Sequence, residues 1–394
     1  MDFNNLKNFM DYMAETRTPG NAIEVYVDGK QAFKYASGVS DIDTKKTLTG
    51  DEYYYIYSCS KVTTVTAGLQ LLEQGQFLMS DPLYDYIPEY KHMYIKNENG
   101  EITEAKNPIT IGNLFTMTSG LTYNFKSDGF KKARELTNGK MNTDVVVRCI
   151  ASDPISFEPG TKWQYGLSHD VLAGLISIIT GKKFRDYVKE NIFEPLGMNN
   201  TMYHPTSDVI SKMASQYSFV PDGQDNNFDL VEAQKYGKGE KGEFENVGKE
   251  NDHILGDEYD SGGAGIITTV SDYVKIAAAL ANYGTGLNGE KILSKGSVEL
   301  MKTNSLTDEQ RASMDWKQLK GYGYGFGVRT LINKAEGGSL GPIGEFGWGG
   351  AAGATIRCDT ANTLAFFYAQ HTLNPREEFY QPRLRNVVYS SLSK

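Results

Sequence analysis

The chain has 394 residues, of which 40% are apolar and 23% charged, with 41 glycines, 12 prolines and a formal net charge of −9. This is the composition of a folded globular protein, not a disordered one. The acidic balance, with no Lys/Arg cluster, argues against nucleic acid or an anionic membrane as partner, and no run of about 18 apolar residues is present to span a bilayer. In chain order, residues 3–15 read as a helix, with Phe3, Leu6, Phe9, Met10 and Met13 on one stripe. Residues 22–28 and 31–38 read as a hairpin around Asp28-Gly29-Lys30. Tyr53 to Tyr57 is an aromatic, β-prone run, and Val62, Val65, Leu69 and Leu72 then keep helical spacing up to Gly75. From 80 to 260 the patterns are mostly helical, at 110–118, 142–151, 168–180 and 184–191. The stretch 221–260 is rich in Gly, Lys, Glu, Asp and Asn and reads as a long surface loop. After Gly262-Gly263 come helices at 271–283 and 295–302, strands near 323–331, 351–357 and 363–370, and a last helix over 376–392. Strands, then helices, then strands imply an α+β fold: an antiparallel sheet flanked by helices and built from both ends of the chain, with an inserted all-helical lobe.

Three cysteines (Cys59, Cys149, Cys358) are too few and too scattered for a disulfide framework or a CxxC site. The five histidines form no ligand spacing, and neither GxxxxGK[ST] nor a well-placed GxGxxG occurs, so no metal or cofactor is expected. The N-terminus lacks a basic region followed by an apolar stretch, which points to a cytoplasmic protein.

Chemistry concentrates at Tyr57-Ser58-Cys59-Ser60-Lys61, where a β-like run gives way to a helix. Free N–H groups at a helix start favour developing negative charge. Lys61 lies three residues after Ser58, on the same helical face, where a desolvated amine can serve as base for a hydroxyl nucleophile. The motif alone is weak. Chance yields about two Ser-x-x-Lys matches in such a chain, and two occur, the other being Ser391 to Lys394. On this motif alone, Ser58 as an N-cap with Lys61 solvated is the favoured reading.

Other segments in order change that balance. They are Leu72-Glu73-Gln74-Gly75, Ser80-Asp81-Pro82, Phe115 to Leu121, and Trp163-Gln164-Tyr165 with Asp170. Further on are Phe193 to Met198 with Thr201, Ser261 to Gly265 with Thr268, Thr269 and Asp272, and Gly347 to Gly353. Together with Ser58 and Lys61 they resemble the serine β-lactamase and penicillin-binding protein family, over roughly residues 20–370. The resemblance implies one β-lactamase-like domain. Its α/β lobe would come from about 1–60 and 262–394 and its helical lobe from about 61–261.

Within that family the chain looks like the class C-related esterase branch. The tyrosine motif reads Tyr165-Gly166-Leu167 where lactamases end in Asn, and Trp348-Gly349-Gly350 replaces Lys-Thr-Gly. A site without that lysine should prefer neutral acyl groups. The resemblance makes Ser58 the nucleophile, with Lys61 and Tyr165 sharing the proton shuttling. It places the backbone N–H groups of Ser58 and Ala351 at the oxyanion, and Trp348, Gly349 and Gly350 beside the substrate, with Trp348 at the cleft mouth. The expected activity is hydrolysis of a small-molecule ester or amide, or acyl transfer where an alcohol or amine intercepts the acyl-enzyme. The alternatives are a β-lactamase or D-amino-acid peptidase, for which Arg357 is the candidate cation, and a penicillin- or peptide-binding sensor that does not turn over. A Ser-His-Asp triad through His169 lacks the Gly-x-Ser-x-Gly elbow it would need.

Overall fold

The computed structural model describes residues 1–97, 99–221, 242–373 and 375–392. The strands are β1 (Gly20–Val27), β2 (Lys30–Asp41), β3 (Lys46–Thr47), β4 (Tyr53–Tyr55), β5 (Tyr94–Lys96), β6 (Ile102–Glu104) and β7 (Gln216–Pro221). There follow β8 (Gly242–Gly248), β9 (Ile267–Thr269), β10 (Tyr322–Tyr324), β11 (Arg329–Leu331), β12 (Phe346–Gly349), β13 (Thr355–Asp359) and β14 (Leu364–Gln370). The main sheet is antiparallel and eight-stranded, in the order β10-β11-β12-β13-β14-β1-β2-β3. Strands from the two ends of the sequence meet at its centre, where Ile23 lies opposite Tyr368 and Val25 opposite Phe366.

Both faces of this sheet are covered, so β14 reads Leu-Ala-Phe-Phe-Tyr-Ala without polar alternation. Ile23, Val25, Leu364, Phe366 and Tyr368 point to one face, beneath helices Asn4–Thr16 and Glu377–Leu392. Leu6, Met10 and Met13 come down from the first helix, and Tyr380, Leu384 and Val388 from the last. Ala365, Phe367, Ala369, Ile356 and Cys358 point to the other face, against helix Val270–Ala281 and the main core.

Helix Ser60–Glu73 is not the amphipathic element that its Val62-Val65-Leu69-Leu72 stripe suggests. Every residue from Ser60 to Leu71 is buried. Its polar residues find partners in the interior: Thr63 shares a hydrogen bond with Tyr273 (3.0 Å), and Thr64 donates to the Gly262 carbonyl (2.7 Å). The expected helices appear at Ile111–Thr116, Thr143–Ile150, Ser168–Thr180 and Phe184–Val188.

Two expectations are corrected. The insert is not all helical, because it carries the hairpins β5–β6 and β7–β8. The stretch 221–260 is not simply a surface loop. Residues 222–241 lie outside the described residues, but Gly242–Gly248 pairs along β7, and Asn251, Tyr259 and Asp260 are buried. Charged residues there find partners, such as Asp260 with Arg185 and His204, and this is how a polar segment can sit inside. Strand β12 escapes the sequence pattern altogether, because Phe-Gly-Trp-Gly offers little β propensity. No described helix is long and apolar enough to cross a membrane.

Because helix Glu377–Leu392 is held to the sheet by Tyr380, Leu384 and Val388, Leu384→Ala should lower unfolding free energy by about 2–5 kcal/mol, measured by denaturant titration.

Candidate active site

Strand β4 is pinned antiparallel to β9, and the Ile56 amide extends the pairing to the Ile266 carbonyl (3.1 Å). The chain then turns sharply. Tyr57 has φ of +43°, a conformation a bulky residue rarely adopts. It is held by its hydroxyl, which donates to Gln216 Oε1 (2.6 Å), and by edge contacts with Tyr55 and His253. The turn presents Ser58 to a cavity of about 540 Å³. Ser58 does not cap the following helix: the N-cap position belongs to Cys59, with no side-chain cap bond. Cys59 points into the core with no exposed surface, and burial pushes its thiol up.

Near the start of that helix, one turn after Ser58, Lys61 is fully buried, with Nζ 3.2 Å from Ser58 Oγ, 2.9 Å from Tyr123 Oη and 2.8 Å from the Gly263 carbonyl. Burial pushes the ammonium down to about 7, against the opposing pull of Asp170. Asp170 shapes the loop that supplies the carbonyl. Its Oδ1 accepts from Tyr259 (3.0 Å), Ser261 Oγ (2.7 Å) and the Gly263 amide (3.4 Å).

Tyr165 lines the same cavity as Ser58, and the Lys61 ammonium lies 4.5 Å from the centre of its ring. Burial pushes the Tyr165 hydroxyl upward. The residue after it must be glycine. A Cβ on Gly166 would stand 1.9 Å from the Leu121 carbonyl, so Tyr165 is clamped to the segment that carries Tyr123. Trp348 stacks on Tyr165 (5.6 Å, 25°) and donates its indole N–H to Tyr165 Oη (3.0 Å). Only 3% of Trp348 is exposed, so it forms the cavity wall and not the mouth expected for it. The half-buried Trp316 is the more accessible indole, edge-on to Tyr165 at 5.1 Å.

Gly349, Gly350 and Ala351 line the cavity beside Ser58. A Cβ on Gly350 would sit 2.2 Å from the Ile56 carbonyl and 3.4 Å from the Ser58 amide, so the end of β12 touches the backbone at Ser58. Arg357, the expected carboxylate partner, is not in the cavity. It is buried behind β13, with Nε 3.6 Å from Glu345. The arginine that lines the cavity is Arg329 on β11, which bonds to Gln381 and is 2% exposed. His169 is buried with its Nε2 3.5 Å from the Phe115 carbonyl, and burial pushes its imidazole down to about 3. No hydrogen bond joins it to Ser58 among the described residues.

Sequence reasoning brought Ser58, Lys61, Tyr165, Trp348, Gly349, Gly350 and Ala351 to one place, and the structure gathers them there. It missed Tyr123, Trp316, Arg329 and Glu377. Tyr123 lies only two residues beyond Leu121, and that proximity was the one signal available. Ser391, of the second Ser-x-x-Lys match, is in the last helix, and its Lys394 lies outside the described residues.

A family model described as Beta-lactamase matches residues 6–389. Lovastatin esterase from Penicillium rubens is 26% identical over 332 residues, covering 80% of this chain and 78% of its own. Esterase EstB from Burkholderia gladioli is 24% identical over 391 residues, covering 92% and 88%. Among solved structures, EstCE1, a hydrolase with promiscuous acyltransferase activity, superposes with a TM-score of 0.74 at 18% identity, covering 99% of this chain and 98% of its own. Simvastatin synthase LovD from Aspergillus terreus does so at 0.75 and 18%, covering 99% of both.

Gly350→Ala should fold yet push the β12 end away from Ser58, slowing fluorophosphonate labelling of Ser58 by tenfold or more. The check is a labelling time course alongside circular dichroism.

Proposed function

The chain belongs to the beta-lactamase family, and from that premise we propose that it is a serine esterase working through an acyl-enzyme. The observation that carries this reading is the buried Lys61 amine, 3.2 Å from Ser58 Oγ, beside a cavity walled by Tyr165, Trp316 and Trp348.

A neutral lysine has two N–H groups and one lone pair. The Gly263 carbonyl can only accept, so it takes one N–H, and Tyr123 Oη takes the other. The lone pair is left facing Ser58, which makes Lys61 the base. Ser58 Oγ attacks the ester carbonyl carbon while its proton passes to Lys61 Nζ. The amides of Ser58 and Ala351 hold the oxyanion. Tyr165 stays neutral because burial keeps its hydroxyl protonated. It relays a proton from Lys61 to the departing alkoxide, oriented by the indole N–H of Trp348. Water reverses the sequence and frees the acid, and an alcohol or amine in its place gives acyl transfer. In this reading the cleft lies where an α/β lobe, about 1–60 and 262–394, meets a helical lobe of about 61–261.

The lactamase or D-peptidase alternative needs a cation for a substrate carboxylate. Arg329 lines the cavity, but Gln381 already engages it and the Glu377 carboxyl lies within its field. A carboxylate substrate would meet Glu377 as a like charge. Leu167, buried where lactamases carry Asn, offers no amide either.

The discriminating experiment is a side-by-side assay with a short-chain nitrophenyl ester and a chromogenic cephalosporin. Steady turnover of the ester and little of the cephalosporin is expected, with both ester turnover and fluorophosphonate labelling lost in Ser58→Ala. Stoichiometric acylation without turnover would favour the sensor instead.

The pH profile follows from Lys61. Below about 7 its ammonium cannot accept the serine proton, so kcat/KM should rise with pH through about 7 and then level off. A flat profile from pH 5 to 9 would remove Lys61 as the base.

A further inference from the structure

The cavity beside Ser58 carries a feature that ester hydrolysis alone does not use. Glu377, in the first turn of helix Glu377–Leu392, lines it. Its Oε2 accepts from Gln318 Nε2 (3.1 Å), while no described donor bonds to Oε1. Oε1 lies over the backbone of Gly349, 2.9 Å from where a Cβ would stand, two residues before Ala351. The carboxyl's field reaches Tyr165, whose hydroxyl it helps to hold up.

An ionised carboxylate this near a developing oxyanion works against acylation unless something cancels it. Burial pushes Glu377 up to about 7, with Arg329 opposing. Arg329 cannot serve a substrate freely, since its guanidinium bonds to Gln381 and leans over Tyr322. At the same cavity Trp316, Trp348 and Tyr165 are mutually 5.1–6.2 Å apart. Trp348 spends its only donor on Tyr165, so it offers no hydrogen bond to what enters, while the half-buried Trp316 presents its ring at the cavity. Ring faces with a half-satisfied carboxylate form the arrangement that recognises a cationic nitrogen.

We propose that this cavity selects esters bearing an ammonium or quaternary-ammonium nitrogen a few bonds from the scissile carbonyl, held by Glu377 and the ring of Trp316, with Trp348 as the wall behind. This rests on the esterase reading and departs from the expectation of neutral acyl groups. The substrate's cation restores a partner to Oε1 and removes the carboxylate's penalty on the oxyanion.

The test compares acetylthiocholine with its uncharged carbon isostere, 3,3-dimethylbutyl thioacetate, followed by thiol release, with p-nitrophenyl acetate as the reference ester. The wild-type protein should favour the cation by tenfold or more in kcat/KM, and Glu377→Gln should bring that ratio close to one. Tetramethylammonium should compete with the uncharged thioester in the wild-type protein, a readout that needs no variant to fold. A wild-type ratio near or below one, no competition by tetramethylammonium, or an unchanged ratio in a folded Glu377→Gln overturns the inference. So does cleavage of p-nitrophenyl acetate with neither thioester accepted, and in that case the esterase reading survives. No cleavage of any ester and no labelling of Ser58 would instead defeat the esterase reading, and the inference with it.

Discussion

A lysine ammonium taken out of water governs this protein's candidate site. Lys61 has no exposed surface, and its three partners come from three distant parts of the chain: Ser58 on its own turn, Tyr123 after the helix Ile111–Thr116, and the Gly263 carbonyl. That convergence explains why the helix is buried all round from Ser60 to Leu71 and why its threonines bond to neighbouring elements. It also costs stability. The free lysine value is 10.5 and burial brings Lys61 to about 7, so between these the unfolded chain binds a proton that the folded one does not. The penalty is therefore full below about 7 and fades as pH rises toward 10.5.

Around that amine the fold supplies rigidity more than contacts. Gly166 against the Leu121 carbonyl and Gly350 against the Ile56 carbonyl are two close backbone approaches that fix Tyr165 and the β12 end relative to Ser58. Trp348 ties the two together, stacking on the tyrosine while its own backbone belongs to β12. Side chains set on strands and buried turns in this way keep their geometry without help from a ligand.

What the sequence could and could not reveal follows from the range of the interactions involved. Ser58 and Lys61 are legible because both sit on one helical turn, and the hairpin and terminal helices because their periodicity is local. Tyr165, Trp348 and Ala351 are long-range partners, identifiable only through the family resemblance. Strand β12 was hidden by its glycines. The confusion between Arg357 and Arg329 has a register cause: both lie opposite Gly347, one from each side, so they share a sheet face and both reach Gln381. Nothing local distinguishes the one nearer the cavity. Glu377 lies outside the resembling segments and could not be tied to Ser58 before the last helix was placed.

The position of β1 in the sheet has a consequence for how the protein comes to exist. Asn21 pairs with Gln370, so a strand made among the first must wait for one made among the last. On the ribosome the β1–β2 hairpin emerges early, with one edge open and its apolar residues without a cover. Such non-local pairing folds slowly and leaves an edge that other chains can join. The Ser58 turn is likewise synthesised long before β12 and Tyr165, so a nascent chain already carries Ser58 and Lys61 while lacking the pocket. Hydrolytic competence should thus appear in one late step, when β14 enters the sheet and the final helix closes over it. Holdase chaperones would act on the interval before that step.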